Sequence, residues 1–287
     1  MTSVENAILA RVRAMPALPG PITRLFVMLG DPNCSAIDVE DVIRPDAAMT
    51  TNVLRLINSA AFGIPRTVTS VRQAVALLGT KRVLESATSM SMLRFVPAKL
   101  PGYGISAAQY WNHCAATAVL TELLVTELNV PDHDLAFTAG LLHDVGKLAI
   151  ATYLLQTPAP SGIRFDKPVE TFLEAEEAML GTCHTRIGAM LGIRWNLPEP
   201  LVWVIRWHHD PASAGEAAPQ ALLDAVHVGD NLAHMLGYGA DAGELSRNSS
   251  RDTLSSLQIT TRILERVAYE AVPRIRALCD VLSNKVG

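Results

Sequence analysis

The residues best suited to chemistry are His143 and Asp144, adjacent positions inside an otherwise apolar run that extends from Ala136 to Leu148. An imidazole and a carboxylate that enter a hydrophobic core lose their hydration, which costs free energy unless new partners replace the water. A divalent metal ion would satisfy both side chains, because imidazole nitrogen and carboxylate oxygen are common ligands of such ions. The pair therefore predicts a metal site.

Further candidate ligands lie in apolar segments elsewhere in the chain. They are His113, His184, His208, His209 and Asp230. Each falls on a predicted helix or at its end, and rigid helices hold ligands at fixed positions. The combined set suits iron, zinc or manganese, and a shared carboxylate can bridge two such ions. Paired ions hydrolyse phosphoesters well, because they activate a water molecule and neutralise charge that grows on the phosphoryl oxygens.

Lys147 is a candidate phosphate-binding residue, because it lies one helical turn after His143 and would face the same side. A lysine at this spacing is as often a surface residue, so both interpretations stay open. By contrast, His133, His227 and His234 are predicted to be hydrogen-bonded core residues. His234 follows Asp230 by one turn and could instead orient that carboxylate.

The periodicity of the chain indicates helices throughout. Short amphipathic helices, two of them with the N-cap residues Ser35 and Ser70, are predicted between Pro21 and Arg94. Longer helices are predicted at 107–128, 135–154, 168–180, 182–194, 198–207, 220–236 and 255–282, with loops at 157–162 and 210–219. No segment shows a convincing strand pattern. The sequence thus predicts an all-α fold of two packed lobes, an N-terminal helical bundle at 1–100 and a metal-binding helical lobe at 101–287.

Composition and charge exclude several classes of function. The net charge of −4 provides no general attraction to nucleic acid or to an anionic membrane. The first residues do not resemble a signal peptide, and no uncharged run approaches the roughly 20 residues that span a bilayer. The four cysteines lie far apart without a CxxC pair, which argues against a thiolate zinc site or a disulfide framework. We therefore expect a cytosolic protein without membrane or nucleic-acid partners.

The order of these motifs resembles the HD superfamily of metal-dependent phosphohydrolases and, more narrowly, the HDOD family. The resemblance extends over nearly the whole chain. It rests on the segments 15–19, 43–46, 54–60, 74–79, 111–113 and 141–147 and on the downstream His184, His208, His209 and Asp230. It implies a first metal site formed by His113, His143, Asp144 and Asp230. It also implies that His184, His208 and His209 match the added ligands of the binuclear HD-GYP relatives, with Asp144 as the bridge.

Two departures from the relatives narrow these expectations. The histidine pair at 208–209 is followed by Asp210-Pro211-Ala212 instead of the Gly-Tyr-Pro signature of cyclic-dinucleotide phosphodiesterases, so hydrolysis of cyclic di-GMP is not expected. Gln109 stands where trinuclear relatives have a carboxylate, which argues against a third ion.

The resemblance also implies a role, because HDOD proteins are associated with bacterial signalling. We expect a regulatory protein that binds one or two divalent ions and a nucleotide or phosphate ligand, and that acts through a separate protein partner. One alternative is an active phosphohydrolase in which Asp144 and Lys147 take part in catalysis. Another is a metal-free interaction scaffold. The sequence does not predict the identity of the metal or the oligomeric state.

Overall fold

The computed structural model describes residues 3–14, 18–29, 31, 33–59, 62–92, 95–97, 99–130, 133–156, 172–239 and 251–286. Over these residues the fold is all-α, as predicted. Two short strands were not predicted, β1 at Lys99–Leu100 and β2 at Ile105–Ser106, and they pair as an antiparallel hairpin. The predicted loop at 157–162 and the start of the helix predicted at 168–180 lie outside the described residues.

The N-terminal region contains the helices α1 to α6. They span Ser3–Ala14, Gly20–Leu29, Ala36–Ile43, Ala47–Ile57, Val71–Leu78 and Thr80–Met92. The two predicted N-caps are confirmed, because the Ser35 hydroxyl accepts a hydrogen bond from the backbone N–H of Asp38 and the Ser70 hydroxyl accepts one from that of Gln73. Helix α1 was not predicted.

The C-terminal region contains the helices α7 to α15. They span Ala107–Glu127, Ala136–Leu142, Val145–Gln156, Phe172–Leu180, His184–Arg194, Glu199–Trp207, Gln220–Met235, Arg251–Ser256 and Thr261–Val286. Helix α7 is the central element of this region, since it packs against α8, α13 and α15. Because neighbours surround it, its middle turns are buried on almost every side.

The predicted helix at 135–154 was wrong as one continuous element. The structure divides it into α8 and α9, with His143 and Asp144 in the turn between them. The His143 ring binds the carbonyl oxygen of Gly140, and the Lys147 amide closes a short turn onto the Asp144 carbonyl. Adjacent residues on a regular helix point about 100° apart. In this turn, however, the His143 and Asp144 side chains meet, with Nε2 and Oδ2 3.5 Å apart.

The helix predicted at 255–282 was also wrong as one element. Helix α14 ends at Ser256 and α15 begins at Thr261. Between them Gln258 has a φ of 53°, a left-handed conformation that a continuous right-handed helix does not contain. The local turn therefore ends the first helix before the apolar pattern ends.

Glycines allow two helices next to the His-Asp turn to cross closely. Gly146 of α9 meets Gly188 of α11, and a Cβ atom at Gly146 would overlap the carbonyl oxygen of His184 and lie 2.7 Å from the Gly188 nitrogen. On α8, a Cβ at Gly140 would lie 2.7 Å from the Cα of Ala118 on α7. These contacts bring the backbones that carry the predicted ligands close together.

One hydrophobic cluster of buried residues extends through both regions, from Ile8 near the N-terminus to Cys279 on α15. Helix α1 packs against α9 and α11, while α15 packs against α4 as well as α7. The division near residue 100 stays a prediction. Across the described residues, no helix combines the length and the apolar character needed to cross a membrane. The four cysteines are free thiols, and three of them are buried.

Candidate metal centre

The predicted metal ligands all lie around one buried centre. They come from α7, from the α8–α9 turn, from the first residue of α11, from the end of α12 and from α13. In chain order they are His113, His143, Asp144, His184, His208, His209 and Asp230. The structure therefore brings together residues from five separate parts of the sequence.

Asp144 lies between two groups of these residues. Its Oδ2 atom faces His143 at 3.5 Å and His113 at 3.7 Å. Its Oδ1 atom faces His184 at 3.3 Å and His208 at 3.8 Å. One carboxylate thus offers a separate oxygen to each group, which is the geometry that a bridging ligand requires.

The first group is formed by His113, His143, Asp144 and Asp230. The Nε2 atoms of His113 and His143 are 3.2 Å apart. Asp230 Oδ1 lies 3.1 Å from the first of these nitrogens and 3.7 Å from the second. Nitrogen and oxygen atoms therefore converge on one small volume, and all four residues are buried.

The second group is formed by Asp144, His184, His208 and His209. Each residue offers one ligand atom, and these four atoms lie within 4.8 Å of one another. The Nε2 atoms of His184 and His209 are 3.0 Å apart. Three imidazoles and one carboxylate form a ligand set that zinc, iron and manganese accept.

Electrostatics keep both aspartates ionised. Burial alone would raise the pKa of Asp144, but the charge of the neighbouring Lys147 ammonium opposes burial and holds that pKa well below its usual range. Burial is likewise outweighed at Asp230, whose pKa is lowered by hydrogen bonds from His113 and His234. Both carboxylates are therefore available as anionic ligands at neutral pH.

The buried histidines at the middle of the cluster are held neutral. Burial lowers the pKa of His143 and lowers that of His208 well below its usual range. For His208 the neighbouring ring of His143 adds to this effect. Neutral imidazole is the form that binds a metal ion, so their environment favours ligation.

Main-chain carbonyls and one carboxylate orient these rings. His143 directs Nδ1 to the Gly140 carbonyl at 2.7 Å, and His208 directs Nδ1 to the Val204 carbonyl at 3.1 Å. In each case the carbonyl accepts a hydrogen bond from the Nδ1–H group, which leaves Nε2 unprotonated and facing the centre. His184 is oriented differently, because its Nδ1 lies 2.8 Å from the carboxylate of Glu176.

Glu176 and Tyr103 belong to the surroundings of the site, and neither was predicted from the sequence. Glu176 is fully buried, and its second oxygen accepts a hydrogen bond of 2.5 Å from the Tyr103 hydroxyl. One sequence signal could have indicated Glu176. It occupies the apolar stripe of α10, four residues after Phe172 and four before Leu180, where an aliphatic residue is expected.

Lys147 is a buried residue of the cluster and is not on the surface. Its ammonium group lies 2.7 Å from Asp144 Oδ2, and its side chain is 4% exposed. The aromatic rings of Tyr103 and Phe172 are each 5.8 Å from this nitrogen. The interpretation as a surface lysine was therefore wrong, while a role in binding phosphate stays a prediction.

The remaining histidines divide into three cases. His227 is a hydrogen-bonded core residue, as predicted, since its Nδ1 binds the His208 carbonyl at 2.7 Å and Asn231 contacts its ring. His234 lies beside the cluster with Nε2 3.4 Å from Asp230 Oδ1, which is the second of the two roles considered for it. The side chain of His133 lies outside the described residues.

Buried polar atoms without a hydrogen-bond partner support the fit of this centre to metal ions. Asp144 Oδ1 and His208 Nε2 are buried and have no hydrogen-bond partner among the described residues. A buried polar atom without a partner costs about 1–3 kcal/mol, and a bound cation would remove this cost for both atoms.

Gln109, the residue in place of a third-metal carboxylate, is exposed and instead accepts hydrogen bonds from Ser106 at the start of α7.

The chain belongs to the HDOD family. The family model, described as the HDOD domain, matches residues 15–211. An uncharacterised protein of Treponema pallidum (strain Nichols) is 26% identical over 220 residues, which are 75% of this chain and 41% of that protein. This chain therefore spans less than half the length of that relative. The proposed ligand Asp230 lies beyond residues 15–211, the range that the family model matches.

Several solved structures share the fold. An HDOD domain protein of unknown function from Geobacter sulfurreducens has a TM-score of 0.68 at 23% identity, with 97% of this chain and 93% of that chain covered. A candidate signal-transduction protein from Marinobacter aquaeolei VT8 has a TM-score of 0.75 at 21% identity, with coverage of 98% and 66%. A candidate metal-dependent phosphohydrolase from Shewanella amazonensis SB2B has a TM-score of 0.65 at 18% identity, with coverage of 98% and 100%. These likenesses establish the fold.

Proposed function

We propose that this chain is a bacterial regulatory protein of the HDOD family whose buried cluster binds one or two divalent metal ions and, through them, a phosphate-bearing ligand. The observation that carries the proposal is the position of Asp144, whose two oxygens face two separate groups of histidines. Iron, zinc and manganese are the candidate ions, because all three accept mixed imidazole and carboxylate ligands.

The charge of the cluster favours this proposal. Among the described residues, the cluster and its surroundings contain three buried carboxylates, those of Asp144, Asp230 and Glu176, and one buried ammonium group, that of Lys147, which pairs with Asp144. Buried ionised groups are stable only when they are paired or bind metals. Divalent cations would balance the excess of negative charge and leave the ligand nitrogens in their neutral form.

His113, His143, Asp144 and Asp230 would hold the first ion, and Asp144, His184, His208 and His209 would hold the second. When bound, such ions neutralise anionic oxygens and lower the pKa of water. Lys147 is the residue that would add a positive charge for a phosphate group, since its ammonium group lies 2.7 Å from Asp144 Oδ2, between the two groups of ligands. The proposed ligand class follows from this concentration of positive charge.

A metal-dependent phosphohydrolase is the second candidate function. It is favoured by Lys147, because a buried ammonium beside a metal-ligating carboxylate can bind a phosphoryl oxygen whose charge increases during hydrolysis. A regulatory protein needs only stable binding of the ligand, whereas an enzyme must also release product. The two candidates therefore differ in turnover and not in the site.

The experiment that tests the proposal uses zinc-loaded and manganese-loaded protein. Binding of inorganic phosphate and of a panel of nucleotides is measured by calorimetry, and hydrolysis of bis(p-nitrophenyl) phosphate and of the same nucleotides is measured in parallel. Binding without turnover is the result we expect for the regulatory protein. Turnover that disappears in Asp144→Asn protein would favour the enzyme, and loaded protein that binds no phosphate compound would overturn the proposed ligand class.

A further inference from the structure

His184 is the ligand with an unusual second partner. His143 and His208 direct Nδ1 to main-chain carbonyls of their own helices, whereas His184 directs Nδ1 to the carboxylate of Glu176 at 2.8 Å. The same Glu176 oxygen accepts a hydrogen bond of 2.7 Å from the backbone N–H of His184. One carboxylate oxygen thus holds both the ring and the backbone of this residue.

Glu176 is itself held on its other side. Its Oε1 atom accepts a hydrogen bond from the Tyr103 hydroxyl, and both side chains are buried. Burial and the neighbouring Glu176 carboxylate raise the pKa of Tyr103 well above its usual range, so the phenol stays a donor. The three hydrogen bonds use both oxygens of Glu176 and fix its plane.

Tyr103 is directed inward by the turn between β1 and β2. Gly102 and Gly104 flank it with φ values of 94° and 68°, conformations that residues with a side chain rarely adopt. The hairpin leads directly into Ser106, the N-cap of α7. The hairpin thus places the Tyr103 hydroxyl on Glu176, which contacts His184 of the second group.

We propose that Glu176, supported by Tyr103, is a positioning residue that fixes His184 with its proton on Nδ1 and so raises the metal affinity of the second group of ligands. The inference rests on the proposed metal-binding function. A carboxylate that accepts a hydrogen bond from the Nδ1–H group orients the ring and makes Nε2 a more basic ligand. Glu176 lies 2.8 Å from His184 Nδ1, whereas the carboxylate that faces His209 Nδ1, that of Asp230, is 3.7 Å away, so loss of Glu176 should act on the group through His184.

A structural role for Glu176 alone would have different consequences. Glu176 also satisfies the backbone N–H of the first residue of α11, which is the function of a helix cap. If capping were its only role, its loss would lower stability but would not affect one metal ion more than the other. Metal affinities measured separately for the two sites distinguish the two roles.

The test uses zinc titration of metal-stripped protein in competition with a chromophoric chelator. The variants are Glu176→Gln, Glu176→Leu and Tyr103→Phe. The control is Glu177→Gln on the same helix, since Glu177 is 40% exposed and pairs with Arg186 instead of the cluster. Circular dichroism and thermal unfolding establish that each variant folds.

We expect two binding steps in the wild-type protein. Glutamine keeps the shape of Glu176 and removes its charge, so one step should weaken about tenfold, whereas leucine also removes the acceptor and should weaken it about 100-fold. Tyr103→Phe should have a smaller effect in the same step, and Glu177→Gln should have none. Equal weakening of both steps, or no weakening in Glu176→Leu, would overturn the inference.

A second measurement separates failure of this inference from failure of the proposed function. In metal-free protein with ¹⁵N-labelled histidine, the His184 signals are identified by their loss in His184→Gln protein. We expect a protonated Nδ1 that exchanges slowly with solvent, and faster exchange in Glu176→Leu. If the wild-type protein binds no zinc, the proposed function fails while this result still supports the positioning role. An unprotonated Nδ1, or equal exchange in both proteins, contradicts the positioning role itself.

Discussion

At the scale of single residues, Asp144 unites the site, because each of its oxygens serves a different group of histidines. The sequence indicated this residue through its polar character in an apolar run. It could not show the environment that keeps the carboxylate ionised, since Lys147 and the surrounding imidazoles act through distances that only the fold defines. Glu176 illustrates the same limit. Its place in the apolar stripe of α10 predicts burial, but its contacts with His184 and Tyr103 depend on how that helix packs.

Lys147 is predicted to bind the phosphate ligand and not the metal. In Lys147→Met protein we expect unchanged metal content and an affinity for inorganic phosphate about tenfold weaker, equivalent to about 1.4 kcal/mol. The reason is the loss of one charge-assisted hydrogen bond from a buried ammonium group. Calorimetry on the zinc-loaded protein measures this change. Lys99→Met, which alters an exposed lysine, is the control, and loss of metal from Lys147→Met protein would contradict the assigned role.

Glu85 is a buried carboxylate far from the candidate ligands in sequence and should make stability depend on pH. Its Oε2 lies 3.3 Å from Arg82, which also contacts Glu122 of α7. Burial, and then the charge of Glu122, raise the pKa of Glu85 from 4.5 to about 7. Because the folded-state pKa is the higher one, the stabilising contribution is complete below pH 4.5 and is lost as pH rises to about 7.

The expected size of this contribution is about 3 kcal/mol between these two pH values. Urea unfolding at a series of pH values should show the decline in wild-type protein and a flatter profile in Glu85→Gln protein. The matched control is Glu216→Gln, which alters an exposed carboxylate. An unchanged slope in Glu85→Gln protein would show that another group causes the pH dependence.

At the scale of helices and turns, the sequence predicted which segments form helices better than it predicted where each helix begins and ends. Apolar periodicity located α2 and α12 because each buries a stripe along its length. Periodicity could not show the break between α8 and α9, since both helices are apolar on almost every side. The break depends on hydrogen bonds of the His143 ring and on the crossing of α9 with α11. Those are tertiary contacts, which have no signature in local spacing.

Gly146 is predicted to be essential for that crossing. An alanine there would place its Cβ against the His184 carbonyl, so α9 and α11 must separate or the backbone must shift. Overpacking of this kind costs about 1–3 kcal/mol, and the movement should also weaken metal binding that depends on His184. Thermal unfolding and zinc titration of Gly146→Ala protein measure both effects.

The matched control for this variant is Gly20→Ala at the start of α2, where an added Cβ would have no neighbour within 4 Å. We expect the free energy of unfolding of that control to lie within about 0.5 kcal/mol of the wild-type value, as is usual for surface substitutions. If Gly146→Ala protein matched it in stability and in zinc affinity, the crossing would not position His184.

At the scale of the whole molecule, the candidate site joins parts of the chain that are distant in sequence. Its residues come from α7, the α8–α9 turn, α11, α12 and α13, while α1 packs behind two of these elements, on α9 and α11. The resemblance predicted the ligands without any knowledge of this packing. It did not predict α1 or the β1–β2 hairpin, because neither carries a motif.

A cluster that ties so many elements together should couple metal binding to unfolding. An ion present at 100 times its dissociation constant stabilises the folded state by about 2.7 kcal/mol. For a chain of 287 residues, that corresponds to a rise in Tm of about 4–5 °C. Thermal unfolding with zinc and with chelator should show this rise in the wild-type protein. Asp144→Asn protein should show none, and an equal rise in that variant would place the ion elsewhere.

Elemental analysis of the protein, purified without a metal-affinity tag, shows whether the cluster binds metal ions. The wild-type protein is measured beside His143→Ala, Asp144→Ala and the control Glu177→Gln. We predict one or two equivalents of iron, zinc or manganese in the wild-type and control proteins, and their loss in both cluster variants. Folded wild-type protein that contains no metal, and that takes up none of these ions when they are added, would contradict the account.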